Sequence, residues 1–433
     1  MTNHSQVTCI VHKRPNCLLE FEASAFKELI SLYEAKALKI LAKGLSLPGF
    51  RKGKVPDNFI LQRFPKELKE KCQEIAVGEV LQECFKQTDI KPIDKDNVRF
   101  KVHGFSPDEL KVSFFFEVEP TIPHVDPALF KLKEVKKPVV DDSKVKETIR
   151  QVLFFYATWN KVEDRIIKEG DFLTLDVDLI EKVPPSALFT NTRFEVTDAS
   201  MAKWMKDLLI GKKVGDVVEG ISVPDEAVEA TEKEAFKPQK VRITIKDMED
   251  PILPELTPEL LKNLGVESEE DFKKKIETML QNQAEEHVKE EQRNQVKEFL
   301  LTQYPFDLPL SFIDKEVKFR VSQLNRNEEF LNHWRSLNQE EQKNTIDMIK
   351  MQSEKAVKLF HLTNQIVKEQ NLSPSPHSLP KAPNTQLEAL MNHNQMSDYH
   401  QDPALRRAEA MSKLMLEEAE NYIIAQATSN VLG

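Results

Sequence analysis

Glycine is scarce in this chain, 11 of 433 residues, which disfavours glycine-rich nucleotide-binding architectures. No Gly-x-x-x-x-Gly-Lys-Ser/Thr phosphate loop occurs, so no nucleotide cycle and no cofactor is indicated. No apolar run approaches the ~20 residues that span a bilayer, and the first residues, Met1 to Gln6, are polar and lack a signal-peptide core. A soluble, cytosolic protein without a membrane partner is expected. Only four cysteines occur, Cys9, Cys17, Cys72 and Cys84, and their spacing matches no zinc or redox motif. Cys9 and Cys17 could face each other across a hairpin, but free thiols are expected in a reducing cytosol. Positive charge is in deficit: the formal net charge is −10, which argues against nucleic-acid binding by overall attraction and leaves any RNA contact to a local basic patch.

What the chain does have is length enough for two to four domains. Val7 to Val11 and Cys17 to Glu22 read as short strands around a turn. Ser24 reads as an N-cap, followed by Phe26, Leu29, Ile30, Tyr33, Ala37, Ile40 and Leu41 at helical spacing, with Gly44 as the stop. A second helical region runs from Asp57 to Lys86, and Asn97 to His103 and Leu110 to Glu117 read as paired strands. Helices and strands are segregated here, so residues 1–119 form an α+β domain. Pro120 to Asp142 reads as an extended linker containing a strand. A helix is predicted from Asp142 to Trp159.

From Gly170 the period becomes two. Leu173, Leu175, Val177 and Leu179 alternate with Thr174, Asp176 and Asp178, as in a half-buried antiparallel strand, and Val241 to Lys246 alternates likewise. Gly211 to Asp216 is a turn between a short helix and a strand. Residues 163–248 thus read as a compact β module. After Pro254 the pattern is helical. Ser268 caps a helix with acids in its first turn, Pro309 opens another, and further helices carry Ile346 to Val367 and Leu405 to Ala425. Their apolar stripes are thin and rich in methionine, suiting paired arms that leave apolar surface uncovered. The alternative is that the stripes are plain helix–helix seams. His393, Asp398 and His400 lie in a polar segment without zinc-like spacing, so no metal site is expected.

One segment stands apart. Leu47-Pro48-Gly49-Phe50-Arg51-Lys52-Gly53-Lys54-Val55-Pro56 has two prolines, two glycines and no acid. It must be a loop, and it is expected to hold the Phe50 ring and fixed positive charge out in solvent, toward an anionic partner with an apolar crevice. A charged surface turn is the simpler reading.

This loop, set after the first long helix of an α+β domain, resembles the ribosome-docking motif of the bacterial trigger factor family. The resemblance extends along the chain in that family's domain order. Phe115-Phe116-Glu117-Val118-Glu119-Pro120 is similar to the strand leaving the docking domain, Ala157-Thr158-Trp159 to the entry of the isomerase domain, and Phe306-Asp307-Leu308-Pro309 with Ile313-Asp314-Lys315-Glu316 to the start of the chaperone arm. The resemblance implies a multidomain α+β protein: a ribosome-binding domain (1–119), a linker contributing to the C-terminal domain (120–162), an FKBP-like peptidyl-prolyl isomerase domain (163–248), and an elongated all-α chaperone domain (249–433). It implies ATP-independent holding of nascent and unfolded polypeptides at the ribosomal exit tunnel. Gly49, Phe50, Arg51, Lys52 and Lys54 would contact ribosomal protein and rRNA. A homodimer off the ribosome is left open.

For the isomerase, Phe189, Phe194, Trp204 and Met205 would line the pocket. Such enzymes need no acid–base pair, because a dry aromatic pocket favours the twisted amide over a rotational barrier of ~18–20 kcal/mol. The chain departs from that pattern. The aromatic of the first long strand becomes Val177, a Gly-aromatic pair becomes Trp204-Met205, the flap aromatic is lost at Ala227 and Val228, and the loop between Phe194 and Met201 is short. Reduced isomerase activity is the expectation. Two other readings stay open: a free-standing proline isomerase with recruiting domains, and a non-enzymatic ribosome- or RNA-binding scaffold.

Overall fold

The computed structural model describes residues 7–45, 50, 55–162, 165–180, 186–198, 200–224, 236, 238–372 and 403–431. They fall into two compact units, one of residues 1–132, 293–375 and 408–433, the other of residues 133–292 and 376–407. The fold is mixed helix and antiparallel sheet, and from Pro258 onward the described elements are all helices, as the sequence predicts. Among the described residues no helix is long and apolar enough to cross a membrane.

The first unit begins with strands β1 (Val7–Arg14), β2 (Leu18–Phe26), β3 (Arg99–Phe105) and β4 (Glu109–Glu117). They form an antiparallel sheet in the order β1-β2-β4-β3, so β1 is an edge. Alternation puts Leu19, Phe21, Ala23 and Ala25 of β2 on one buried face. Helices α1 (Lys27–Gly44) and α3 (Pro65–Thr88), with the short α2 (Asp57–Arg63) between them in the chain, supply the opposing layer. On α3 the buried column Leu68, Cys72, Ala76, Val80 and Cys84 repeats every four residues, a spacing that keeps side chains on one helix face. The Phe21 ring packs edge-on against Phe116 at 4.8 Å and Phe85 at 5.7 Å.

One local expectation fails here, and one possibility is ruled out. Ser24 is not a helix cap: it lies inside β2, opposite Thr8 and Lys111, and pairing to β4 continues through Phe26 before α1 begins. Cys9 does not face Cys17. Cys9 pairs with Ala23, and Cys17 sits in the hairpin turn with a left-handed φ of 55°, its thiol donating to the Asp307 carbonyl at 3.1 Å.

The rest of this unit is helical: the end of Glu269–Gln303, then Leu310–Leu324, Glu328–Ser336, Gln339–Glu369 and Pro403–Val431. Asn338 and Glu341 form a capping box at the start of Gln339–Glu369. Val125 and Phe130 are buried with Val296, Leu300, Leu362, Ile366 and Ile423. The Tyr304 hydroxyl fixes that stretch, accepting from the Asp126 N–H at 2.9 Å and donating to its carbonyl at 3.2 Å. The strand expected between Pro120 and Asp142 is absent; one 3-10 turn, Pro127–Leu129, occurs there.

The second unit holds a five-stranded antiparallel sheet. Strand β9 (Lys240–Ile252) pairs with β5 (Thr158–Lys161), β6 (Phe172–Leu179) and β8 (Val217–Ile221), while β7 (Ser186–Glu195) pairs with β6. The side chains of Leu173, Leu175, Val177 and Leu179 are buried, as the period of two predicts. The predicted turn is present between α5 (Lys203–Leu209) and β8, with Gly211 at φ 82° and Gly215 at φ 90°, a region side chains rarely enter. Helix α4 (Asp142–Phe154) is capped by the Asp141 carboxylate, which accepts from the Lys144 N–H at 2.8 Å. It packs Val145, Val152 and Leu153 on Leu260, Leu264, Phe272 and Ile276. The helix ends before Trp159, which belongs to β5 opposite Pro251. The Arg193 guanidinium lies 3.8 Å from the Trp159 ring, and the Phe172 ring meets Trp159 edge-on at 5.0 Å.

Candidate functional site

Three places carry the residues singled out in the sequence. The first follows α1. Ala42, Val55 and Ile60 make a small buried cluster, and the helix Asp57–Arg63 starts directly after Pro56. Phe50 joins this cluster half-buried, its ring 5.2 Å from that of Phe59. The ring is therefore not held free in solvent as expected: apolar area can be removed from water against Phe59, and an aromatic pair adds ~0.5–1.5 kcal/mol beyond that burial. Gly49, Arg51, Lys52 and Lys54 lie outside the described residues.

The second place is the sheet domain. Phe189 is 45 % exposed and meets Phe194 edge-on at 5.3 Å. Phe194 and Trp204 are partly buried against the domain's core. Met205 is a core residue, 7 % exposed and packed with Leu173, Leu209 and Ile243, so it offers no surface to a cleft. Val177, where an aromatic was sought, is likewise core. Ala227 and Val228 lie outside the described residues. The structure thus brings Phe189 and Phe194 together and turns Met205 away. Its position on α5 beside the buried Leu209 was readable as core from helical spacing alone.

The third place is the helical part of the first unit. A groove of about 700 Å³ opens between helices Leu310–Leu324, Gln339–Glu369 and Pro403–Val431. Phe319, Val357, Leu359, Phe360 and Leu416 form its apolar lining, and Lys297, Glu316 and Lys413 also line it. Phe360 is 48 % exposed, Met348 and Met351 stand exposed on the same helix, and Met411 stands exposed on Pro403–Val431. Beside Phe360, His361 stacks on Phe312 at 5.6 Å, and burial lowers its pKa. Flexible thioethers and open aromatic faces suit weak contact with many apolar shapes.

Within this body the sequence reading missed Glu420. Its carboxylate is 1 % exposed, and Oε1 accepts no hydrogen bond, with the Lys297 ammonium 3.9 Å away. Burial pushes its pKa up to about 7; Lys297 and Arg293 pull it down, and Glu417 adds to the rise. In sequence it is one more acid in a charged helix, and only the partner helices bury it.

Comparison with known proteins gives a consistent result. Residues 8–152 match the family described as bacterial trigger factor protein, and residues 268–424 match that described as bacterial trigger factor protein C-terminus. The trigger factor of Protochlamydia amoebophila (strain UWE25) is 25% identical over 419 residues, covering 95% of this chain and 93% of that protein. That of Chlamydia trachomatis serovar D is 26% identical over 384 residues, covering 85% and 84%. A solved structure titled "Promiscuous Substrate Recognition in Folding and Assembly Activities of the Trigger Factor Chaperone" aligns with a TM-score of 0.44 at 18% identity, covering 97% of this chain and 100% of that one.

Proposed function

Because the chain belongs to the bacterial trigger factor family and so has a chaperone role, we propose that it docks at the ribosomal polypeptide exit and holds nascent chains open without ATP. The observation that carries the holding function is the apolar groove around Phe319, Val357 and Phe360, with exposed methionines on the same helices. Scattered apolar contacts give weak affinity per site and broad specificity. The proposed division of labour is docking by residues 1–119, client holding by 249–433 with 120–162, and an FKBP-like domain at 163–248. The compartment is the cytoplasm.

Docking is assigned to Gly49, Phe50, Arg51, Lys52 and Lys54. Arg51 forks onto a carboxylate or an rRNA phosphate, and Lys52 adds a point charge. The Phe50 ring contacts that of Phe59. Exposed ion pairs contribute only ~0.2–1 kcal/mol each, so docking is modest, reversible and salt-sensitive. Replacing Phe50, Arg51 and Lys52 together with alanine should abolish co-sedimentation with ribosomes and leave the far-UV circular dichroism unchanged. Undiminished co-sedimentation at moderate salt would remove the assignment.

The isomerase activity is proposed to be reduced. Phe189 and Phe194 supply one aromatic corner, while Val177 and Met205 belong to the core. In a proline-peptide isomerisation assay the chain should turn over well below a complete FKBP-type enzyme. Full catalytic efficiency would contradict this reading.

A further inference from the structure

The groove between Leu310–Leu324, Gln339–Glu369 and Pro403–Val431 is apolar but not neutral. Among the described residues three ionisable side chains line it: Lys297, Glu316 and Lys413. Glu316 is occupied by its own helix, accepting from Arg320 Nε at 2.7 Å. Neither lysine is matched in that way. Lys297 Nζ stands 3.9 Å from the Glu420 carboxylate, beyond hydrogen-bonding distance. That carboxylate is buried, and burial lifts its pKa to about 7, so near neutrality it carries only part of a charge. Lys413 is exposed and forms no ion pair among the described residues. The charge this groove offers a ligand is therefore positive, although the whole chain carries −10.

A segment that fills the groove takes water away from both ammonium groups. The groove's volume of about 700 Å³ lies within the ~300–1,000 Å³ of ligand pockets. A purely apolar segment gains by covering Phe319, Phe360 and Leu416, but it leaves two charges partly desolvated and unpaired, which costs free energy. A cationic side chain there adds like-charge repulsion. A carboxylate supplies charge-assisted hydrogen bonds and removes the penalty. The negative charge of the whole chain opposes an acidic segment at long range. At physiological ionic strength the Debye length is only ~8 Å, so the lysines in the groove decide.

Building on the client groove proposed above, we propose that it selects client segments in which apolar side chains flank an aspartate or glutamate, with Lys297 and Lys413 receiving the carboxylate. Selection acts by penalty as much as by attraction. A neutral segment still binds through Phe360 and its neighbours, and a basic one binds least.

The test is fluorescence anisotropy with the full-length protein near neutral pH and without ATP. Three end-blocked peptides share one apolar, proline-free sequence and an uncharged dye, and differ only in a central Glu, Gln or Lys. Affinity should fall in that order, with the Glu peptide ~5-fold tighter than the Gln peptide, the weight of one partly exposed ion pair, and the gap should narrow in high salt. In the Lys297→Gln/Lys413→Gln protein the three peptides should bind alike, whereas Lys413→Arg should keep the order. If the double variant does not fold, Lys413→Gln alone decides, by narrowing the gap. Phe360→Ser should weaken all three peptides, which places them in the groove. Equal affinities in the parent chain, all weakened by Phe360→Ser, would overturn the charge selection and leave the client groove standing. A preference for the Lys peptide, or one for Glu that survives both lysine changes, would also overturn it. No binding of any peptide, or binding indifferent to Phe360→Ser, would overturn the selection and the groove together.

Discussion

Replacing Glu420 with glutamine is expected to stabilise the helical part of the first unit at pH 8 and to change it little near pH 4. In the fold this carboxylate is buried among Ala419, Ile423 and Val296, and its pKa rises to about 7. In the unfolded chain a glutamate titrates near ~4.3. Between those values the folded state keeps a proton that the unfolded state has released. Stability contributed by this group therefore falls as pH rises through that window and is level above it. The charged groups facing it, Lys297, Arg293 and Glu417, are already included in that net rise. At ~1.4 kcal/mol per pKa unit, the cost of ionising Glu420 in place approaches about 3 kcal/mol at pH 8. Glutamine is close in shape and has no charge to desolvate, so it removes most of that cost. Urea unfolding of both proteins at pH 5 and pH 8 checks this. The advantage of Glu420→Gln should be larger at pH 8. An equal shift at the two pH values would mean that Glu420 is held ionised without cost.

The strands were legible because burial on one face imposes a period of two: Leu173, Leu175, Val177 and Leu179 are all buried in β6, although Phe172 and Thr174 are buried there too. Caps with local chemistry were legible too, as at Ser268, whose hydroxyl accepts from the Asp271 N–H at 3.1 Å. Failures occurred where a distant partner decides. Ser24 has the chemistry of a cap, but β4 claims its backbone for the sheet. Trp159 continues a helical pattern, but pairing with β9 makes it a strand. The helix Glu328–Ser336 is short, nine residues, although Phe330, Leu331 and Trp334 stand at helical spacing in it. The candidate sites were partly legible. The basic loop is marked by composition, and the exposed methionines by their number on thin stripes. That Phe50 leans on Phe59 and that partner helices bury Glu420 are facts of packing. Spacing along the chain cannot encode which faces will meet.

Loss of client binding is the largest functional effect expected of any surface change. Phe360, Met351 and Met411 are each about half exposed and belong to two of the helices that flank the groove, Gln339–Glu369 and Pro403–Val431. Serine at exposed helical positions changes stability by ~0.5 kcal/mol or less. The apolar area a client would bury on them is worth up to ~1.5–3 kcal/mol per side chain when fully covered. Replacing all three with serine should thus weaken client capture severely while leaving the fold in place. Holding by these side chains, without nucleotide and without proline chemistry, is tested most directly by light scattering from an unfolded, proline-free protein diluted into the full-length chain in the absence of ATP. Suppression of aggregation at near-equimolar ratio, lost in the Met351→Ser/Phe360→Ser/Met411→Ser protein, is the predicted result. No suppression by the parent chain, or equal suppression by the serine variant, would contradict it.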